Sequence, residues 1–238
     1  MDEINFANLK FKGLVKEKLL EESDSLKFIV TVNAEFIIKA NNYENFKKII
    51  NDNYSTFDGQ VPYFLAKKQN PNINFEKLSG SDLIYDFANM AKEKNKRIFL
   101  LGGYEESNTK AIEKLKKDFA IEIDGYSPAY KPYPFDDDHN SNILNKIEKF
   151  KPDILFVGFG AIKQEYWIND NKQFLEDLGV KWVVGSGGTF EFVAGLIKRA
   201  PAWIQRIGME GIYRAIKEPN LQRFQRIFLS FKVFKYIR

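Results

Sequence analysis

Three glycine turns recur in this sequence, each closing an apolar run: Gly102-Gly103 after RIFLL, Gly158 and Gly160 after DILFV, and Gly187-Gly188 after VKWVVGS. Glycine lets a ligand approach the backbone, and a helix that follows offers its unbonded first-turn N–H groups to phosphate. One such turn says little, since tight turns need glycine anyway. Three in register point to a nucleotide or phosphate ligand. The run from Gly158 through Lys163 lacks the third glycine of the dinucleotide fingerprint, and no GK[ST] loop is present. A nicotinamide dehydrogenase and a P-loop ATPase are therefore disfavoured.

Other residues carry a chemical reading beside a plainer one. Asp58-Gly59 in FDGQ reads first as a turn. Its chemical reading is a carboxylate at a strand end that removes a proton from a hydroxyl nucleophile. Thr31 and Asn33 close a strong strand with neutral groups suited to a sugar, and capping the next helix weighs equally. Gln164 and Glu165 open the helix after the second glycine turn, where an acidic, amide-rich first turn is favourable in itself. Asp136, Asp137, Asp138 and the single His139 resemble a metal site at first sight. Consecutive acids point in different directions, so a solvated loop or helix start is the better reading, and no metal is expected.

The elements that must hold these residues alternate. KFIVTVN (27–33), RIFLLGG (97–103), AIEID (120–124), DILFVGFG (153–160) and VKWVVGSGG (180–188) read as strands. Between them AEFIIKANNYENFKKIIND, EESNTKAIEKLKKDF, NSNILNKIEKF and AIKQEYWINDNKQFLEDL have helical spacing, and Ser81 is placed to cap a helix reaching about Lys94. Continuous apolar strands alternating with helices predict an α/β fold, a Rossmann-like, mostly parallel sheet flanked by helices. After Arg199 the strand pattern stops. Two helices, broken at Pro219, are expected there, giving a core over 1–197 and a helical appendage over 198–238.

Charge divides along the same line. The chain has 238 residues and a net charge of +4, yet residues 198–238 hold ten Lys/Arg against two Glu. The first 197 residues carry 26 Lys/Arg against 30 Asp/Glu. A mildly acidic body with a basic tail implies an anionic partner. In that tail Phe224, Phe228, Phe231 and Phe234 fall on one helical stripe, which suits a core, a partner helix or a membrane surface better than scattered base-stacking platforms. Nucleic acid is the alternative partner and is disfavoured on this spacing. With no cysteine there are no disulfides or thiolate metal sites. The first thirty residues lack a signal-peptide pattern and no run suffices for a membrane span, so a cytoplasmic location is expected.

Taken together, TVNAEF, FDG, LSGSDL, IFLLGG, ILFVGFGAIKQEYWI and GSGGTFEFVAGLIKRAPAWIQRIGMEGIYRAIKEP resemble the WecG/TagA/CpsF bacterial glycosyltransferases, glycosyltransferase family 26. The last two are specific in order and spacing. The resemblance spans about Phe28 to Arg226. It implies transfer of a sugar from a UDP-sugar to a polyprenyl-diphosphate-linked sugar during synthesis of a cell-surface polymer, with inversion and without a metal or other cofactor. It places the proposed base on Asp58, with Gly59 beside it. Thr31, Asn33 and Gln164 then line the substrate pocket, with Gly102, Gly103, Gly158, Gly160, Gly187, Gly188 and Glu191 around the nucleotide-sugar. The appendage is implied to dock on the inner face of the cytoplasmic membrane and to bring Arg199, Arg206, Arg214, Arg223 and Arg226 to diphosphate, Arg214 and Arg223 foremost. A planar guanidinium suits that ligand because it donates two parallel hydrogen bonds. A homo-oligomer is compatible with the sequence.

Several positions depart from the family pattern. Val32 and Ile162 stand where prolines are usual, Glu191 replaces an aspartate, and Gly211 replaces a tryptophan. QVPYFLAKK follows Asp58-Gly59 in place of a small apolar run, which implies a difference in sugar specificity.

Overall fold

A computed structural model gives the architecture and describes residues 3–197, 200, 201, 204, 213 and 231–237. The elements run β1 (Ile4–Phe6), β2 (Leu9–Phe11), α1 (Lys16–Leu20), β3 (Lys27–Val32), α2 (Ala34–Asn42), α3 (Glu44–Asp52), β4 (Tyr54–Phe57), α4 (Gln60–Gln69) and α5 (Gly80–Lys94). They continue with β5 (Ile98–Gly102), α6 (Glu105–Phe119), β6 (Ile123–Tyr126), α7 (Asp137–Phe150), β7 (Ile154–Gly158), α8 (Lys163–Asp170), α9 (Lys172–Asp177), β8 (Trp182–Gly185) and α10 (Thr189–Val193). A 3-10 helix occupies Lys232–Tyr236. Six strands form one all-parallel, Rossmann-like sheet in the order β4-β3-β8-β7-β5-β6, as the alternating pattern predicts. All six residues of β3 are buried, Lys27 and Thr31 included, and so are all of β5 and β8, which is why β5 and β8 read as unbroken apolar runs.

Contacts divide the chain into two compact units. The first comprises Met1–Leu19, Val30–Ser79 and the described residues from 198 onward. Its centre is a phenylalanine cluster. Phe57, the last residue of β4, stacks on Phe11 at 4.0 Å and 5°, meets Phe6 edge-on at 5.9 Å and lies 5.1 Å from Phe75. Phe6 and Phe11 come from an antiparallel hairpin, β1 with β2, that the sequence reading did not anticipate. Ala7 and Asn8 turn that hairpin with φ of 49° and 64°, the left-handed pair that a two-residue connection requires. The 3-10 helix packs against α2 through the buried Val233.

The second unit comprises Leu20–Ile29 and Gly80–Ile197. Its sheet pairs β6, β5, β7 and β8 in parallel register, Leu101 opposite Val157 and Val157 opposite Gly185. Phe87 of α5 packs edge-to-face on Phe156 of β7 and Trp182 of β8.

Local differences from the sequence reading have physical causes. α5 starts at Gly80, so Ser81 sits inside the first turn instead of capping it. A Cβ at Gly80 would lie 3.2 Å from Thr189 Oγ1 and 3.3 Å from Ser186 Cα, so the helix begins where only glycine fits easily. The long helix expected after the second glycine turn is two, α8 and α9, interrupted at Asn171. There the Asn171 Nδ2 donates to the Trp167 carbonyl at 2.8 Å, a side-chain bond that competes with helix continuation. β6 is displaced toward its carboxyl end, because Gly125 is the residue that tolerates the approach of Leu100 O, 2.5 Å from where a Cβ would stand.

Candidate active site

In the first unit the carboxyl ends of β3 and β4 are joined by a hydrogen bond. The Asp58 N–H donates to the Val32 carbonyl at 2.9 Å. This brings the half-buried Asp58 beside the Thr31–Asn33 end of β3. Its position is fixed from behind, since Phe57 is fully buried and its carbonyl accepts from Leu78 N at 2.9 Å. Thr56 Oγ1 donates to the Leu78 carbonyl at 2.8 Å, holding the same segment from the opposite side of the peptide. Gly59 follows at φ 107°, a conformation that L side chains rarely adopt, and ends the turn at the start of α4. Asn33 Oδ1 accepts from Phe36 N at 3.1 Å and so caps α2. Its Nδ2 makes no hydrogen bond among the described residues. Capping thus occupies the Oδ1 of this amide and not its Nδ2. Thr31 is buried within β3.

In the second unit the glycine turns converge, and the reason for glycine differs from one to the next. A Cβ on Gly102 would lie 2.8 Å from Phe159 and 3.0 Å from the Gly158 backbone. Cβ atoms on Gly103 and Gly158 would each lie 2.8 Å from Phe190. These three glycines make room for protein. Gly160 (φ 88°) and Gly187 (φ 49°) have nothing within 4 Å of the same position, and Gly188 has only Glu191 Oε2 at 3.6 Å. These three face open space.

Gln164 ties the open turns together. It is 1% exposed, and its Oε1 accepts from Gly160 N and Gly187 N, both at 3.1 Å. Its Nε2 donates to Glu165 Oε1 at 2.6 Å. The two glycine amides expected to face phosphate are therefore engaged by a side chain. Glu191, in the first turn of α10, has a buried Oε2 that accepts no hydrogen bond among the described residues. At the first turn, Glu105 and Glu106 open α6, and their carboxylates answer that helix's exposed amides.

The sequence reading passed over several residues at this edge. Asn108 Nδ2 donates to Leu100 O and Gly102 O at 2.9 and 2.8 Å, and Ser127 Oγ donates to Gly102 O at 3.0 Å. The available signal was a polar residue on the apolar face of α6, with Ala111 and Leu115. Lys163 Nζ stands 4.4 Å from the Tyr130 ring and donates to Lys131 O at 3.1 Å, and burial lowers its pKa. Tyr133 donates to the Asp170 carboxylate, and burial together with that acceptor raises the phenol's pKa.

The acidic run at Asp136–His139 is a helix start, as read. Asp136 Oδ1 caps α7 by accepting from His139 N at 2.9 Å. Lys131 Nζ lies 2.5 Å from Asp136 Oδ2 and, with that backbone bond, holds the carboxyl below its ordinary range. Burial lowers the His139 pKa. Arg199, Arg206, Arg214, Arg223 and Arg226 lie outside the described residues, as does most of the two expected tail helices around Pro219; of the second, only 231–237 is described, and there Lys232–Tyr236 is a 3-10 helix. Among the described residues no helix is long and apolar enough to cross a membrane.

The all-parallel, helix-flanked sheet makes this a Rossmann-like α/β protein. The model of the Glycosyl transferase WecG/TagA/CpsF family matches residues 2–237, and the chain belongs to that family of glycosyltransferases. Three relatives carry the name N-acetylglucosaminyldiphosphoundecaprenol N-acetyl-beta-D-mannosaminyltransferase. The Staphylococcus aureus protein is 29% identical over 213 residues, covering 89% of this chain and 80% of its own. Those of Bacillus spizizenii (28% over 193 residues, 81% and 72%) and Bacillus subtilis (29% over 193 residues, 80% and 72%) are similar.

Proposed function

We propose that this glycosyltransferase moves a sugar of the N-acetylhexosamine class from a UDP-sugar to a sugar carried on polyprenyl diphosphate, with inversion and without a metal. The relatives' names describe an N-acetylmannosaminyl transfer to such a lipid-linked acceptor. The observation that carries the reading is Asp58, held at the joined ends of β3 and β4 by its own N–H and by the buried Phe57.

Asp58 takes the proton from the acceptor hydroxyl as that oxygen attacks the anomeric carbon and UDP departs. One displacement inverts the centre, so one carboxylate suffices. Thr31 and the Nδ2 of Asn33 orient sugar hydroxyls. Gly188 and Glu191 border the nucleotide, and Gln164 holds the Gly160 and Gly187 turns that shape its seat. With those two amides engaged, charge on the departing diphosphate falls mainly to the arginines, Arg214 and Arg223 first, with Arg199, Arg206 and Arg226. The reaction takes place at the cytoplasmic face of the membrane that holds the acceptor.

The test is transfer from a panel of UDP-sugars to a polyprenyl-diphosphate-GlcNAc analogue, with and without EDTA. UDP-ManNAc is the expected donor, with turnover unaffected by EDTA and the product anomer opposite to that of the donor. Retention of configuration, a requirement for divalent cation, or UDP release independent of acceptor each defeats the reading.

A further inference from the structure

α4 is turned against the usual pattern of a helix in water. Its buried residues are the small ones, Pro62 and Ala66. The Tyr63 ring meets Phe75 at 5.5 Å and Lys67 Nζ sits 4.7 Å from the same ring, so those two side chains lie along the packed flank. The larger apolar residues face outward. Phe64 is 67% exposed and Val61 37% exposed, and Leu65 is half-buried. Val61, Phe64, Leu65 and Lys68 fall at i, i+3, i+4 and i+7, one stripe along the helix. The helix contains no acidic residue and ends with Lys67 and Lys68. Lys67 Nζ donates to Ile73 O at 2.8 Å, leaving Lys68 as the exposed cation of the stripe.

We propose that this stripe rests on the anionic bilayer surface that presents the acceptor, with Phe64 and Val61 entering the headgroup boundary and Lys68 beside lipid phosphates. An outward apolar ridge with a flanking cation and no acid suits contact with a bilayer surface, and the charge complements an anionic leaflet. Location supports the same occupant, because α4 begins directly after Asp58-Gly59, the segment given to the acceptor hydroxyl. The inference rests on the lipid-linked acceptor of the function proposed above and adds the surface that meets the membrane.

The experiment is flotation of the full chain with phosphatidylglycerol-containing vesicles and with phosphatidylcholine vesicles. Val61→Ser/Phe64→Ser should reduce the bound fraction on anionic vesicles about fivefold or more with an unchanged melting temperature, since exposed apolar area is what is lost. Lys68→Ala should reduce it about twofold at low salt and not at high salt. Lys117→Ala on α6 should leave it unchanged. In the two stripe variants, turnover on a vesicle-embedded acceptor should fall with binding, and far more than turnover on a soluble short-chain acceptor, while Lys117→Ala should alter neither. Unaltered flotation of the double variant, or equal loss in Lys117→Ala, overturns the proposal. So does a change of oligomeric state in place of a change in flotation, which would make the stripe a contact between copies. Flotation involves no sugar transfer, so a wrong donor leaves this result standing. A wild-type chain that floats yet transfers nothing defeats the function and not the stripe.

Discussion

The Asp58 turn and the glycine turns of β5, β7 and β8 send the same message in sequence, small residues at the mouth of a buried strand. In the fold they behave differently. Behind Asp58 four phenylalanines and a strand-like segment immobilise the backbone, while the carboxylate-bearing residue itself stays half-buried. At the glycine turns the immobilising group is a buried glutamine, and half of the glycines exist to admit Phe159 and Phe190. A glycine at a strand end is thus not in itself a ligand's doorway. The atom that would occupy its Cβ position decides.

The sharpest way to break this contrast is Asp58→Asn. Turnover should fall about 10²-fold or more, the scale of a lost general base, with the melting temperature unchanged. A variant that still turns over at near the wild-type rate moves the base elsewhere. Gln164→Ala should show the opposite balance. It strips the acceptor from two amides and the donor from Glu165, so urea unfolding should report a loss of about 2–4 kcal/mol before any kinetic effect is considered. Stability within experimental error of wild type would show that the glutamine is not what holds the turns.

Two glycines separate packing from access. Gly158→Ala should cost about 1–3 kcal/mol, because its Cβ must displace Phe190. Gly160→Ala meets nothing within 4 Å and carries only the strain of φ 88°, about 1–2 kcal/mol. Calorimetric UDP affinity, compared at matched stability, should then drop more for Gly160→Ala; the reverse order would erase the distinction. The smallest expected effect is at Asp136. Its carboxyl is held below the ordinary 3.8 by the Lys131 ammonium and the His139 N–H. A depressed folded pKa contributes stability above pH 3.8 and loses it as pH falls through the folded value. Asp136→Ala should therefore melt slightly earlier than wild type at neutral pH, and the gap should close in strong acid.

Much of this was legible before any coordinates. Parallel strands buried on both faces leave long apolar runs, and these alone predict the sheet. The remainder depended on partners distant in sequence. Nothing local marks Phe6 and Phe11 as the support of Phe57, and nothing in KQEYW shows that Gln164 faces inward to two turns more than twenty residues apart. Asn33 read equally as cap and as ligand because it has the atoms for both. The outward Phe64 of α4 was hidden because QVPYFLAKK was not read as a helix, and periodicity alone does not say which side of a helix meets the core.

The bond from Asp58 N–H to the Val32 carbonyl has a kinetic meaning. It lies at the meeting point of a cluster gathered from Phe6, Phe11, Phe57 and Phe75, so it closes only when residues far apart along the chain have found one another. Its amide should exchange with deuterium only through the opening of that whole cluster. The isotope content of a single backbone position then serves as a clock for the assembly of the Asp58 turn, and trimming the chain within its first eleven residues should make that clock run fast.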